Sequence, residues 1–294
     1  MTDYGMTGSS TTELPVLFCG TLTSMEVRYV DAHCHLQFPQ YEHDREELIT
    51  TMDTQGIVGI VVGVDLDSSR KAVALAEKYD HLFASIGLHP NREKDEWYEV
   101  EKYRDLAKSQ KVIAIGECGL DYFRPTVLDE RTTQLQKNIL NDQIALAAEL
   151  DKPLIIHARP SKGSADAYKD LVDILTGWKT KWPTLRGDVH FFVGRADEAQ
   201  ALIALGLTVS YTAVITFARE YHSTIRILPL TSIVSETDAP YVPPLNRSRG
   251  SRNDPLAVVE VVKTIAEIRG EDLETVRHTL TENAIRLFAL PYTP

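Results

Sequence analysis

The chain has 294 residues, 43 % of them hydrophobic and 25 % charged, which is the balance of an ordinary globular protein. A formal charge of −11 disfavours a broad electrostatic grip on duplex nucleic acid, while leaving room for a local basic site or for bound cations. Three cysteines, Cys19, Cys34 and Cys118, give no disulfide framework and fit a reducing compartment, and no apolar run is long enough to span a bilayer.

In chain order, residues 1–24 are rich in Ser, Thr and Gly and lack Lys and Arg, so neither a transit peptide nor a secretory signal fits them. They read as a flexible N-terminal extension, and residues 25–294 as a single domain. The first strand is expected at 27–33, "VRYVDAH", followed by an amphipathic helix over 44–55. A strand at 57–64, "IVGIVVGV", precedes a helix over 67–79, with Asp67 as its expected N-cap. Strands at 82–89 and 111–117 lead to the longest helical pattern, 128–150. Four more strands are expected at 152–158, 187–192, 207–212 and 231–238. Helices over 255–270, with Gly270 as its C-cap, and over 271–288 end the chain. Near-continuous Val and Ile mark strands buried on both faces, as in parallel sheets. Eight such strands alternating with helices predict an α/β fold, a (β/α)8 TIM barrel with an additional C-terminal helix. No glycine-rich loop follows the first strand, which weighs against a doubly wound sheet.

Six ligand-type residues then fall at strand ends. His33 and His35 end the first strand, Glu117 the fourth, His157 the fifth and Asp238 the eighth, and His190 sits in the sixth. In a barrel these ends converge on one mouth. Alternation puts His33 and His35 on one face and turns Cys34 away as a packing residue, like Cys118; it also pairs Glu236 with Asp238. A lone strand-end histidine usually just makes a hydrogen bond, and HxH alone is weak. Four histidines and two acids at one mouth point to a metal centre for Mg, Mn or Zn. Six ligands exceed what one open site needs, so two divalent ions are expected, with Glu117 as the bridge. Asp238 is the candidate proton acceptor for an attacking water. The ligands alone leave the bond open: phosphodiester, amide or lactone.

The segments "DAHCHLQF", "SIGLHP", "AIGECGLDY", "PLIIHAR", "VHFFVG", "VSETDAPY", "RNDP" and "TENAIRLF" together resemble the TatD family of metal-dependent deoxyribonucleases, within the amidohydrolase superfamily. The series runs through nearly the whole chain after the first 24 residues. The resemblance implies a TIM barrel, a divalent metal pair and hydrolysis of DNA phosphodiesters, and gives ligand roles to His33, His35, Glu117, His157, His190 and Asp238. Two departures stand out: "HFFVG" replaces the "HCFSG" common in the family, and the loop "RPSKGSADA" (159–167) is longer than usual.

Arg159, two positions past His157, is a candidate phosphate contact. Arg247, Arg249 and Arg252 form a local basic loop, with Arg252 the favoured substrate contact over a pairing with Asp254. Tyr122 and Tyr241 are candidates for base stacking, and His89 for a substrate contact. The expected activity is a deoxyribonuclease, a 3′–5′ exonuclease on single strands or 3′ ends, in the cytoplasm by default and the nucleus as second choice. No membrane association and no obligatory protein partner are expected. The alternative is a small-molecule amidohydrolase or deacylase using the same metals. A binding protein without catalysis would be expected to lack ligands, and all six are present.

Overall fold

Eight parallel strands form one sheet in strict sequence order in a computed structural model that describes residues 1, 26–91, 97–125, 128–248 and 250–293. The strands are β1 (Tyr29–Cys34), β2 (Ile57–Val62), β3 (Leu82–Ile86), β4 (Val112–Asp121), β5 (Leu154–Arg159), β6 (Gly187–His190), β7 (Leu207–Tyr211) and β8 (Ile233–Ser235). The helices between and after them are α1 (Arg45–Thr54), α2 (Leu66–Ala76), α3 (Val100–Leu106), α4 (Glu130–Leu150), α5 (Asp166–Lys181), α6 (Ala196–Ala204), α7 (His222–Ile227), α8 (Val258–Arg269) and α9 (Leu273–Phe288). The expected N-terminal extension, with Cys19, lies outside the described residues apart from Met1. Among the described residues no helix is long and apolar enough to cross a membrane.

The sheet curls until its ends meet. Cys34 bridges Ala239 in parallel, the Asp238 N–H donates to the His33 carbonyl at 2.9 Å, and the His35 N–H to the Ala239 carbonyl at 2.8 Å. The strands are buried on both faces, as their apolar runs require. In β2, Val58 and Ile60 face the lumen with Val30, Ala114, Ile155 and Val234, while Ile57 and Val61 face the surrounding helices. Helix α9, the additional helix, packs on β1 and β8, and its Ala284, Ile285 and Phe288 join the lumen cluster.

Two local details differ from expectation or matter for the mouth. Helix α2 starts at Leu66, so Asp65, not Asp67, is the N-cap; its carboxylate accepts from the Ser68 N–H at 2.6 Å. Asp67 instead pairs with Lys71 on the surface. At Gly119 (φ 144°) a Cβ would lie 1.9 Å from the His157 carbonyl oxygen, so glycine is what lets β4 approach β5 beside the two mouth residues Glu117 and His157.

Candidate metal centre

Five strand ends deliver the six predicted residues to one point. His33 and His35 come from β1, which has a register irregularity between Asp31 and Cys34. Their Nε2 atoms lie 3.2 Å apart. Asp238 lies three residues past the end of β8 in the left-handed region (φ 50°), and its Oδ1 is 3.3 Å from His35 Nε2 and 3.8 Å from His33 Nε2. On the other side, His157 Nδ1 and His190 Nε2 are 3.3 Å apart. Glu117 stands between the two groups: its Oε2 is 3.5 Å from His33 Nε2, while its Oε1 is 3.1 Å from His157 Nδ1 and 2.9 Å from His190 Nε2. Cys34 and Cys118 face away and are buried, their thiols directed at the carbonyls of Ile60 and Ile155.

The surrounding groups orient the rings. His35 Nδ1 donates to the Val62 carbonyl at 2.8 Å, which leaves the Nε2 of the neutral ring with a bare lone pair. That lone pair faces the Asp238 carboxylate. On the other side, His157 Nε2 donates to Asp121 Oδ2 at 3.2 Å, so the bare Nδ1 faces Glu117. Acceptor facing acceptor at such distances is repulsive unless a proton or a cation lies between. The donor set of imidazole nitrogen and carboxylate oxygen, without thiolate, suits divalent cations of the Zn, Mn and Mg type. Two buried triplets could each hold one: His33–His35–Glu117 and Glu117–His157–His190.

Glu236 sits behind this centre, fully buried, with Oε2 3.8 Å from His33 Nδ1 and 3.5 Å from His190 Nδ1. Glu236 and Asp238 therefore both face inward but at different depths, on opposite edges of the His33 ring. The Asp31 carboxylate accepts from the Thr237 N–H at 2.9 Å and the Thr237 hydroxyl at 2.6 Å, pinning the residue between them.

The field of the cluster is uneven. Burial alone would push His190 down, yet Glu117 and Glu236 hold it well above the usual imidazole value. Burial would likewise lower His35, but Asp238 raises it. Burial and the neighbouring His190 lower His33. Burial would raise Glu117; His89 and His190 hold it well below the carboxylate range. A cation must displace the protons carried by the raised rings of His190 and His35, so its apparent affinity should already fall at pH values above about 6.5, the ordinary imidazole value, and go on falling below it. Calorimetric titrations in two buffers of different ionisation enthalpy would count the released protons. Affinity independent of pH, with no proton release, would contradict this reading.

A cavity of about 1180 Å³ opens over the centre. Of the residues expected to touch substrate, His89, Arg159 and Tyr241 line it. His89 Nε2 is 3.3 Å from Glu117 Oε1, and burial lowers its pKa, so it presents a neutral ring. The Arg159 guanidinium lies 4.2 Å above the half-exposed Phe123 ring. Tyr122 and Arg252 do not belong to the cavity. Tyr122 is buried with its hydroxyl on Asp170 at 2.8 Å, because alternation turns it toward the helices when Asp121 faces inward. Arg252 is bound by Asp44 in two hydrogen bonds and lies over the Tyr41 ring, so it ties the β8–α8 loop to the β1–α1 loop. The pairing with Asp254 is made by Arg247, and Arg249 lies outside the described residues. In "HFFVG", the Phe191 N–H donates to Glu236 and the Val193 N–H to the Tyr168 hydroxyl at 3.1 Å, so both are engaged within the protein. The sequence reading missed Asp121, Arg124 and Phe38. Asp121 was legible: Glu117, Gly119 and Asp121 follow the period of two. Arg124 lines the cavity, and Phe38 stacks flat on His35 at 4.6 Å.

A family model described as TatD related DNase matches residues 30–289. The metal-dependent hydrolase YabD of Bacillus subtilis, itself uncharacterized, is 34 % identical over 264 residues, covering 88 % of this chain and 98 % of its own. The 3′-5′ ssDNA/RNA exonuclease TatD of Pectobacterium parmentieri is 32 % identical over 270 residues, or 88 % of this chain and 99 % of its own. The crystal structure of YjjV, a TatD homologue from Escherichia coli, superposes with a TM-score of 0.79 at 30 % identity, over 90 % of this chain and 99 % of that one.

Proposed function

Since the chain belongs to the TatD related DNase family and is therefore a metal-dependent hydrolase, we propose that it is a 3′–5′ exonuclease acting on single-stranded DNA through two divalent ions. The observation that carries this reading is the pairing, in one cavity, of two metal-type triplets sharing Glu117 with an arginine whose guanidinium lies over an exposed aromatic ring. The first suits cleavage by activated water; the second suits a phosphate next to a base. A mouth of this size, in a body of charge −11, favours a strand end over a duplex.

His33, His35, Asp238 and one oxygen of Glu117 would hold one ion, and His157, His190 and the other oxygen of Glu117 the second. Such ions, when bound, supply the positive charge that lowers the pKa of water and offsets charge growing on a phosphoryl group. Asp238, lowered below the usual carboxylate range by His35 against the effect of burial, stays ionised and takes the proton of the attacking water. Arg159 grips a non-bridging phosphate oxygen, and Phe123 beneath its guanidinium supports it. His89, neutral, accepts the Asn91 N–H on Nδ1 at 3.0 Å and turns its one N–H, on Nε2, toward Glu117 Oε1, so it steadies that carboxylate at the cavity wall. Tyr241, half-exposed at the cavity wall, stacks on a base.

The test uses one single-stranded DNA oligonucleotide labelled at either end, with Mg²⁺, Mn²⁺ or Zn²⁺ and with EDTA as the control. The 3′ label should leave at once as a mononucleotide, while the 5′ label should give a descending ladder. Arg159→Ala should raise KM by roughly tenfold, the worth of one charge-assisted hydrogen bond, with metal content unchanged. Unchanged KM and turnover in that variant would remove Arg159 from the substrate site. No cleavage by a metal-loaded chain would redirect the assignment to amide, ester or lactone substrates.

A further inference from the structure

Asp121 does three things with one buried residue. Its Oδ2 accepts from His157 Nε2 at 3.2 Å. Its Oδ1 accepts from the backbone N–H groups of Phe123 and Arg124, both at 2.9 Å. Its own backbone is clamped by Gln136 of α4, whose amide accepts from the Asp121 N–H and donates to the Asp121 carbonyl, both at 2.8 Å. The carboxylate is therefore held on one side by the loop that carries Phe123 and Arg124. On the other it meets the ring nitrogen that faces away from Glu117.

We propose that Asp121 is a positioning residue, which fixes His157 as the tautomer protonated on Nε2 and aims its bare Nδ1 at the point shared with Glu117 and His190. The inference rests on the reading of His157 as a metal ligand, and adds to it the group that makes the ring a ligand. An ionised carboxylate can only accept. It therefore forces a proton onto Nε2, and a neutral imidazole carries only one. The remaining nitrogen is 3.1 Å from Glu117 Oε1 and 3.3 Å from His190 Nε2. Carboxylate partners of this kind raise the basicity of a ligating ring and hold its plane, and their loss typically costs about 10- to 100-fold in metal affinity. The same carboxylate sets the start of the β4–α4 loop. The ring that supports Arg159 is thus placed relative to the ligand it must work beside.

Asp121→Asn separates these roles. The amide oxygen can still accept from Phe123 and Arg124, so the loop keeps its cap. The amide nitrogen, turned toward His157, can only donate, which demands an unprotonated Nε2 and puts the proton on Nδ1. Two measurements on the full chain decide the matter. Nitrogen NMR of the metal-free wild type should show His157 protonated on Nε2, and the Asp121→Asn variant should show it protonated on Nδ1. Titration with Zn²⁺ or Mn²⁺ should show the variant losing about 10- to 100-fold in affinity for one ion, with its metal-free melting temperature near that of the wild type. A wild-type His157 protonated on Nδ1 would overturn the proposal, as would wild-type affinity for every ion in the variant. A wild type that takes up no metal would instead sink the metal reading. The tautomer spectrum, which needs no variant and no metal, still decides what Asp121 does.

Discussion

Glu117→Gln is expected to lower turnover on single-stranded DNA by on the order of 10³-fold or more, and to release one of two bound ions. The reason lies in the two oxygens. Oε1 serves the His157–His190 side and Oε2 the His33 side, at 2.9–3.1 Å and 3.5 Å. An amide keeps one acceptor and turns a donor toward the other group of rings, where a cation would have to sit. Volume is conserved, so the barrel should fold as before. Metal content by mass spectrometry, read beside turnover, tests this. A variant that keeps both ions and more than a tenth of wild-type turnover would show that Glu117 does not bridge.

Asp238→Asn should give the second large loss, roughly 10²- to 10⁴-fold in kcat, the range for a positioned proton acceptor. Here the fold and substrate affinity should survive. The side chain is 12 % exposed, opens into the cavity and takes part in no strand ladder, since β8 ends at Ser235. KM should stay within about threefold, because Asp238 is assigned to an ion and to the attacking water and not to the bound strand. A kcat near the wild-type value would transfer the role of proton acceptor to another group. A rise in KM that matched the loss of kcat/KM would place Asp238 in binding.

The legible part of this protein was what local period and strand order determine. Val and Ile runs announced the strands, and the rule that barrel strands share one mouth gathered His33, His35, Glu117, His157, His190 and Asp238 from separate stretches of sequence. What could not be read depended on partners far away in the chain. Arg252 looked free in a basic loop, but Asp44 lies 208 residues earlier and meets it only after folding. Tyr122 looked like a stacking ring until α5 supplied Asp170 for its hydroxyl. The α2 cap moved by two residues because helix termini turn on single hydrogen bonds that periodicity does not resolve. Asp121 was within reach, since the period of two that selected Glu117 also selects it, but a carboxylate beyond a strand's apolar core carries no signal of what it will touch.

The join between β1 and β8 also sets a timetable. His33 and Asp238 are neighbours in space, at 3.8 Å, yet 205 residues (238 − 33) separate them in the chain. At ribosomal rates of about 5–20 residues per second, roughly 10–40 s pass between the making of His33 and the making of Asp238. A nascent chain in that interval offers a pair of imidazoles on an unpartnered strand edge, and no carboxylate from β8 to complete them. Glu117, His157 and His190 are all made before β8, so only the His33–His35 side waits for barrel closure to gain its Asp238 carboxylate. An ion that needs Asp238 would be drawn from the free-cation pool present at closure, so metal recovered from overexpressed protein would report the growth medium as well as the site's preference.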